Sequence, residues 1–493
     1  MLEFSRSPSI ARPTSPAGRG AWRGGAVALL LASACLSHSI AAQTRAADRR
    51  AHMATMNVET TDDPRRIPVP RGPKGPDGAI VVRGGRIFDG TGAAAREGTL
   101  VIERNRITRI LPADARPGTA GWPAGAKVIE AAGKTVMPGL VDLHTHLTYA
   151  DPRDPEEEAL SEPDAVLRGV ERLRYFVESG ITSIRDVGSM GDVAFRLKDW
   201  VARNRIPGPR VFAAGQLITS VSGHGAQGMG SHPSPKAVVR TVIGPDQWRN
   251  AVRDLFDRGA DVIKVASHFS KEEVQAAIDE AHALGLKVTC DCETFYTQWA
   301  VEAGVDMIEH PLPRTDETIR LMAERKVEAD PTLVTYAYLF ASYGGGYFGS
   351  TSRRFYFNDS TNLDVLRRLK RAGVKSGIGL DLVVGWYRAL PGAYITELKS
   401  FVQAGYSIPE ALVVATKTSA ELLDMGDKLG TLEPGKLADV LIVDGRPDVT
   451  LDDLARIDVV IRDGNVVIRG GAVVLPRHEQ ERPPSSTGQS APK

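Results

Sequence analysis

Apolar and polar positions follow two rhythms along this chain. Between about residues 138 and 425, short apolar runs trade places with segments of helical period. Val166, Leu167, Val170, Leu173, Phe176 and Val177 recur at helical spacing and stop before Gly180. Ile181-Thr182-Ser183-Ile184 then reads as a strand, as do 261–265, 286–289, 304–308 and 373–378, and a helix is predicted over 272–284 with Gly285 ending it. Repeated strand–helix units predict an α/β fold with a parallel sheet, closed as a (β/α)8 TIM-type barrel over residues 137–425. An open doubly wound sheet is the alternative, but no Gly-rich phosphate loop favours it.

The flanks read differently. Ala79-Ile80-Val81-Val82 precedes Gly84-Gly85 and Arg86-Ile87-Phe88, while Thr99-Leu100-Val101-Ile102 precedes Asn105 and Ile107-Thr108-Arg109-Ile110. Near the C-terminus, Ala438-Asp439-Val440-Leu441-Ile442-Val443 is one run, and Val459-Val460-Ile461 turns at Asp463-Gly464 into Val466-Val467-Ile468. Short β-rich runs punctuated by Gly or Asn predict antiparallel hairpins. Residues 78–136 and 426–474 are therefore expected to build one small discontinuous β-sandwich domain from both flanks. The polar, Pro-rich stretch 43–77 reads as a linker and 475–493 as a disordered tail.

Composition narrows the class. A hydrophobic fraction of 42% and a charged fraction of 25% are those of a globular chain, and a net charge of +1 gives no reason to expect a nucleic-acid partner. Arg6, Arg12, Arg19 and Arg23 precede the apolar run Ala26–Ala32, and small residues follow at Ser39, Ala41 and Ala42. That order marks residues 1–42 as a secretory signal peptide, too short in its apolar part for a stable membrane span, and predicts export to a periplasm or the outside. Removing it takes away four arginines and one glutamate and leaves a formal charge of −2. Cys35 sits in a sequence like a lipoprotein box without the usual leading Leu, so a lipid anchor there is a lesser alternative. Cys290 and Cys292, two apart on an expected strand, are read as unbridged.

Chemistry concentrates where apolar runs end. Met137-Pro138-Gly139-Leu140-Val141-Asp142-Leu143 reads as a buried strand leading into His144-Thr145-His146. Residues two apart on a strand share a face, so both imidazoles project together and suit a shared divalent metal. Other polar residues at such ends are Arg185-Asp186, His224, Lys264, Asp291, His310 and Asp381. In a barrel they would meet at the C-terminal face of the strands.

These segments resemble the amidohydrolase superfamily, in the imidazolonepropionase-like branch that includes metal-dependent Xaa-Arg and Xaa-Pro dipeptidases. The matching text includes Gly180-Ile181-Thr182-Ser183-Ile184-Arg185-Asp186, Gly208-Pro209-Arg210-Val211, Gly259-Ala260-Asp261-Val262-Ile263-Lys264, Ile308-Glu309-His310 and Gly430-Thr431-Leu432-Glu433-Pro434-Gly435-Lys436-Leu437-Ala438-Asp439, besides the His-x-His strand. The resemblance implies one or two divalent ions, zinc first among them. His144 and His146 would bind the more buried ion, a carboxylated Lys264 would bridge, and His310 would bind the second. Asp381 would ligate the first ion and act as general base, and His224 would hold substrate as an oxyanion donor.

Two positions depart from the family pattern. Asp291 stands where a histidine is expected at the end of the fifth strand, so the second ion is either bound through carboxylate or missing. A one-residue shift would instead turn Cys290 and Cys292 inward as thiolate ligands. Gly379-Leu380-Asp381 replaces Gly-Thr-Asp and loses a hydroxyl that could support the acid.

The expected activity is hydrolysis of an amide C–N bond in a small molecule or short peptide, most simply a dipeptide. A cyclic amide is the alternative, and a degraded barrel that binds without turnover is a third reading, kept open by Asp291. A dipeptide needs a cationic anchor for its carboxylate, and Arg314, Arg353 and Arg354 are the candidates, the last two after the stretch Ser342–Phe348 on the rim. Arg185 and His268 are further candidate substrate contacts; His282, His232 and His478 read as packing or solvated histidines. A homo-oligomer is expected, with that rim stretch as one candidate subunit contact.

Overall fold

A computed structural model describes residues 75–149, 161–226, 238–343 and 358–474. Five strands open it: β1 (Ala79–Ile87), β2 (Arg96–Glu103), β3 (Arg106–Leu111), β4 (Lys127–Glu130) and β5 (Thr135–Pro138). Then come β6 (Leu140–Thr145), β7 (Ile181–Asp186), β8 (Arg210–Ala213), β9 (Leu217–Thr219), β10 (Val239–Thr241), β11 (Val262–Ala266), β12 (Lys287–Asp291), β13 (Met307–Glu309) and β14 (Glu328–Asp330). Last are β15 (Val440–Val443), β16 (Ile457–Arg462), β17 (Asn465–Arg469) and β18 (Ala472–Val473).

Antiparallel pairing of β5 with β15 joins the two flanks into one nine-stranded sheet, in the order β18-β17-β16-β15-β5-β1-β2-β3 with β4 beside β1. Its apolar core holds Val82, Leu100, Ile102, Val440, Ile442 and Ile461. The turns at Arg104-Asn105 and Asp463-Gly464 are where the residue types place them, with positive φ at Asp463 and Gly464 as a tight hairpin needs. Gly84-Gly85 is not a turn. β1 runs through it with a shift of register against β2, because a bulge uses the left-handed φ of Gly84 to kink a strand without reversing it.

Strands β6 to β14 pair in parallel, as β6-β7-β8 and β10-β9-β11-β12-β13-β14, with helices between them. The stretch after Gly373, expected as a full strand, makes a single bridge, Ser376 to Ala329. It still runs between β14 and β6: Gly377 N donates to Ala329 O at 2.8 Å, Leu143 N to Ile378 O at 2.7 Å and Asp381 N to His144 O at 2.8 Å. β14 was not foreseen, since Glu328-Ala329-Asp330 carries two acids and no apolar run. Parallel pairing brings the C-terminal strand ends out on one side, which sets where polar side chains can converge.

One glycine joins the two parts. Gly139 separates β5 from β6 and its N–H donates to Asp439 O at 2.9 Å, and a Cβ there would run into the Thr182 side chain. Pro-Gly in the motif thus serves a close crossing of chain segments. Deeper in the helical layer, Glu397 on the helix Gly392–Gln403 accepts from Leu333 N at 3.1 Å and Val334 N at 2.7 Å, capping the helix Leu333–Tyr343. Burial lifts its carboxyl to about 8, against the opposing pull of the two N–H groups.

A carboxyl raised in the fold keeps a proton that the unfolded chain releases above about pH 4.3. Its stabilising share is therefore complete below that pH and lost as pH climbs through about 8. Thermal unfolding of Glu397→Gln should consequently lose less Tm than the native chain between about pH 6 and about pH 8.5. Parallel pH profiles for the two proteins would refute the buried, protonated acid.

Candidate metal centre

His144 and His146 leave the end of β6, and Asp381 arrives on the stretch that lies between β14 and β6. Asp142, on β6, fastens the two: its Oδ1 accepts from His144 N and from Leu380 N, each at 3.0 Å. His144 Nε2 lies 3.3 Å from His146 Nε2, and Asp381 Oδ1 lies 3.4 Å from the first and 3.3 Å from the second. Asp381, His310 and Thr332 all have left-handed φ, at 47°, 67° and 45°, a strained conformation for residues with side chains.

That triangle is a test of fit for a metal. Zinc–nitrogen and zinc–oxygen bonds of about 2.0–2.1 Å in a tetrahedron put ligand atoms about 3.3 Å apart. The side chains present match it. His146 Nδ1 lies 3.0 Å from Gly188 O, a bond that fixes Nδ1 as the protonated nitrogen and leaves Nε2 with its lone pair toward the centre. Burial, with the neighbouring Lys264 charge, holds the His144 imidazole well below its usual pKa, so this ring is neutral as a ligand must be. The loop carrying His146 is clamped by Arg172, which donates to His146 O and Tyr149 O at 2.8 and 2.6 Å, and by the Tyr387 hydroxyl, 2.8 Å from His146 O. The hydroxyl lost at Leu380 has a local counterpart, since Thr335 Oγ1 donates to Asp381 O at 2.6 Å.

A second cluster adjoins the first. Asp291 Oδ2 lies 3.0 Å from His224 Nε2 and 3.3 Å from His310 Nε2, while His310 Nδ1 faces Thr332 Oγ1 at 2.9 Å and Asp381 Oδ2 at 3.8 Å. Burial pushes the Asp291 carboxyl up, but the two imidazoles outweigh it and hold it well below the usual carboxylate range. Lys264, fully buried on β11, pairs with Glu309, and burial lowers its pKa. Beneath the rings lies an acid floor of Glu309 and Asp330, crossed by Arg185. Arg185, a candidate substrate contact by sequence, is buried here: it donates to Leu143 O at 2.6 Å and to Asp330 at 2.8 Å and meets Glu309 at 3.3 Å.

The cysteines correct an expectation. Cys290 and Cys292 are disulfide-bonded, with Cα atoms 5.2 Å apart. Side chains two apart share a face, and β12 ends at Asp291, so the chain is free to contract to that separation, which lies within the disulfide range. Both sulfurs sit in the apolar layer with Val288, Ile308 and Val301, facing away from the thiolate-ligand role.

Arg314 is buried beside the second cluster: one Nη donates to the carbonyls of Glu309 and His310, while Nε and the other Nη meet no partner. His268 is half-buried, with its ring 5.3 Å from that of Tyr296, and His282 packs against Asp306 at 2.9 Å. Arg353, Arg354, His232, His478, the signal segment with Cys35, residues 43–74 of the 43–77 linker and the C-terminal tail lie outside the described residues. Among those described, no helix is long and apolar enough to cross a membrane. Sequence reading missed Asp142, Glu309, Asp330, Thr332 and Tyr149, whose ring stacks on His146 at 3.8 Å. Glu309 and Asp142 lay within quoted motifs; Asp330 ended a strand with no apolar run to announce it.

A family model, that of the amidohydrolase family, matches residues 135–468. An imidazolonepropionase from Geobacillus kaustophilus (strain HTA426) is 25% identical over 421 residues, 77% of this chain and 92% of that protein. Among solved structures, a prolidase complexed with N-methylphosphonate-L-proline is 28% identical with a TM-score of 0.71, covering 80% of this chain and 100% of that one. A Xaa-Pro dipeptidase with bound methionine is 26% identical with a TM-score of 0.67, covering 79% and 99%.

Removing the charge that crosses the acid floor leaves two buried carboxylates without it. Arg185→Met should cost about 3–5 kcal/mol in chemical unfolding, and a loss below about 1 kcal/mol would contradict the pairing. Thiol titration of unreduced, unfolded protein lacking residues 1–42 should find no free cysteine, and two after reduction; two before reduction would overturn the bridge.

Proposed function

The chain belongs to the amidohydrolase family and is a hydrolase of carbon–nitrogen bonds, and we propose that it cleaves the amide bond of a dipeptide-like substrate with Asp381 as general base. The observation that carries this reading is the triangle of His144 Nε2, His146 Nε2 and Asp381 Oδ1 at tetrahedral ligand spacing. These three would hold a divalent ion, zinc by their nitrogen and oxygen donors, and such an ion lowers the pKa of water toward neutrality and polarises an amide carbonyl.

The remaining chemistry belongs to the chain. Asp381 is 14% exposed while the rings of His144 and His146 are 0% and 5% exposed, so its carboxylate is the member of the triangle that meets solvent. With Oδ1 turned to the imidazoles, Oδ2 remains to take a proton from water and pass it to the leaving nitrogen. Arg314, with two buried nitrogens unmatched, is the anchor for the terminal carboxylate of a dipeptide. Lys264, its amine buried against Glu309, is where carboxylation by carbon dioxide would supply one more oxygen ligand.

We infer further that the parallel strands close as a (β/α)8 barrel through the stretch between β14 and β6, with β8 and β9 as two pieces of one barrel strand and β10 outside it, that the nine-stranded sheet folds as a sandwich, and that the units run 78–136, 137–425 and 426–474. Export to an oxidising compartment is supported by the pattern of residues 1–42 and by the Cys290–Cys292 bridge.

The test is a panel of dipeptides, their C-terminal amides, lactams and cyclic dipeptides, given to zinc-loaded chain lacking residues 1–42. Free-acid dipeptides should turn over, and amidation should raise KM about tenfold or more by removing the partner of Arg314. Asp381→Asn should lower kcat by about 10²–10⁴. Turnover confined to lactams would replace the dipeptide reading with the cyclic-amide one.

A further inference from the structure

We propose that Tyr149 is a catalytic residue, its hydroxyl donating a hydrogen bond to the scissile carbonyl oxygen as negative charge gathers there. The proposal deepens the reading above and rests on amide hydrolysis at the triangle of His144, His146 and Asp381.

Tyr149 follows His146 on the loop beyond β6, and its ring lies flat on that imidazole, with centroids 3.8 Å apart and planes inclined by 12°. The turn that carries it is pinned at each residue. Leu147 N donates to Asp186 Oδ2 at 2.8 Å, Thr148 Oγ1 accepts from Met190 N at 2.8 Å, and Tyr149 O accepts from Arg172 at 2.6 Å. Asp186 is held in turn by Ser189 Oγ at 2.7 Å. Gly188 makes room for the stack: a Cβ there would come within 3.0 Å of His146 Nδ1 and 3.2 Å of the Tyr149 hydroxyl oxygen. Stack, turn and glycine together fix where the phenol points.

All this fixing leaves the hydroxyl unspent. It meets no hydrogen-bond partner among the described residues, and the side chain is only part-buried. Burial, with the carboxylates of Asp381 and Asp291, pushes its pKa well above the usual phenol value, so it carries a proton to share. The same two carboxylates place it on the side where the clusters face each other. The imidazole of His224, expected in this role from the sequence, turns its Nε2 to Asp291 Oδ2 at 3.0 Å instead.

When water adds to the amide carbon, the carbonyl π pair moves onto its oxygen and the water proton passes to Asp381. The hydrogen bond from Tyr149 strengthens with that charge, and the phenol keeps its proton. As the carbonyl reforms, the C–N bond breaks and the leaving nitrogen takes the proton from Asp381. A donor aimed in advance at developing charge favours the transition state over the ground state, so its effect falls on kcat.

The experiment compares the native chain with Tyr149→Phe, both zinc-loaded and lacking residues 1–42, on the best substrate of the panel above. The variant keeps the ring on His146 and removes only the hydroxyl. It should hold the native zinc content and lose about 10²–10³ in kcat, with KM changed by less than about threefold. A phosphinate pseudo-dipeptide, whose tetrahedral anion puts an oxygen where the oxyanion forms, should bind about tenfold or more weakly to the variant than to the native chain. Native kcat in Tyr149→Phe, or a fall in kcat that only follows a loss of zinc, overturns the proposal and leaves the ring as a support for His146. If only lactams turn over, the dipeptide reading falls, while the same kcat loss on lactams upholds the role of Tyr149. A native chain that hydrolyses nothing on the panel overturns both.

Discussion

The carboxylate of Asp381 is the contact on which the site turns. One oxygen faces His144 and His146 and the other faces His310, so a single side chain touches both imidazole clusters. Holding it there requires a left-handed backbone and a buried acid, Asp142, whose one oxygen binds the peptide nitrogens of His144 and Leu380. Removing that acceptor would free the β6 end from the stretch that carries Asp381. The geometry of the centre thus depends on a residue that faces no ligand position.

Burying so many ionisable groups is costly unless they are matched. Arg185 and Lys264 supply positive charge against Glu309 and Asp330, and Thr289 Oγ1 donates to Glu309 at 2.7 Å. Burial keeps His144 neutral and raises Asp330 to about 6. Rigid rings above a charged floor leave little freedom for the ligand atoms to relax apart, which is how a metal site is kept in shape before the ion arrives.

Much of this was legible in the chain. Strand alternation was enough to put His144 and His146 on one side, and the ends of apolar runs marked Lys264, Asp291 and His310. The alternation also placed Asp291 opposite to its two cysteine neighbours, but it said nothing of whether those neighbours could reach one another beyond the end of β12. Gly84-Gly85 misled because a glycine pair serves a bulge as well as a turn, and only the register of a partner strand tells them apart. β14 and the acid Asp330 were hidden because a three-residue strand that begins and ends on an acid has no hydrophobic period to read. Arg185 looked like a pocket residue because it follows a strand; its long side chain turns under the rings instead of over them.

The departures from the family pattern bear on whether this is a decayed site. Random loss would leave gaps: an unmatched imidazole where a ligand vanished, a loosened acid where a supporting hydroxyl was removed. At the two departures themselves, however, described neighbours still supply partners. The carboxylate of Asp291 stands between two imidazoles, the peptide that carries it is bridged by the cysteines on either side, and the Asp381 peptide receives a hydroxyl from Thr335. Each change has a partner within hydrogen-bonding reach or along the same short segment. Both departures leave His144, His146 and Asp381 at ligand spacing, an arrangement that a barrel kept only for binding would not need.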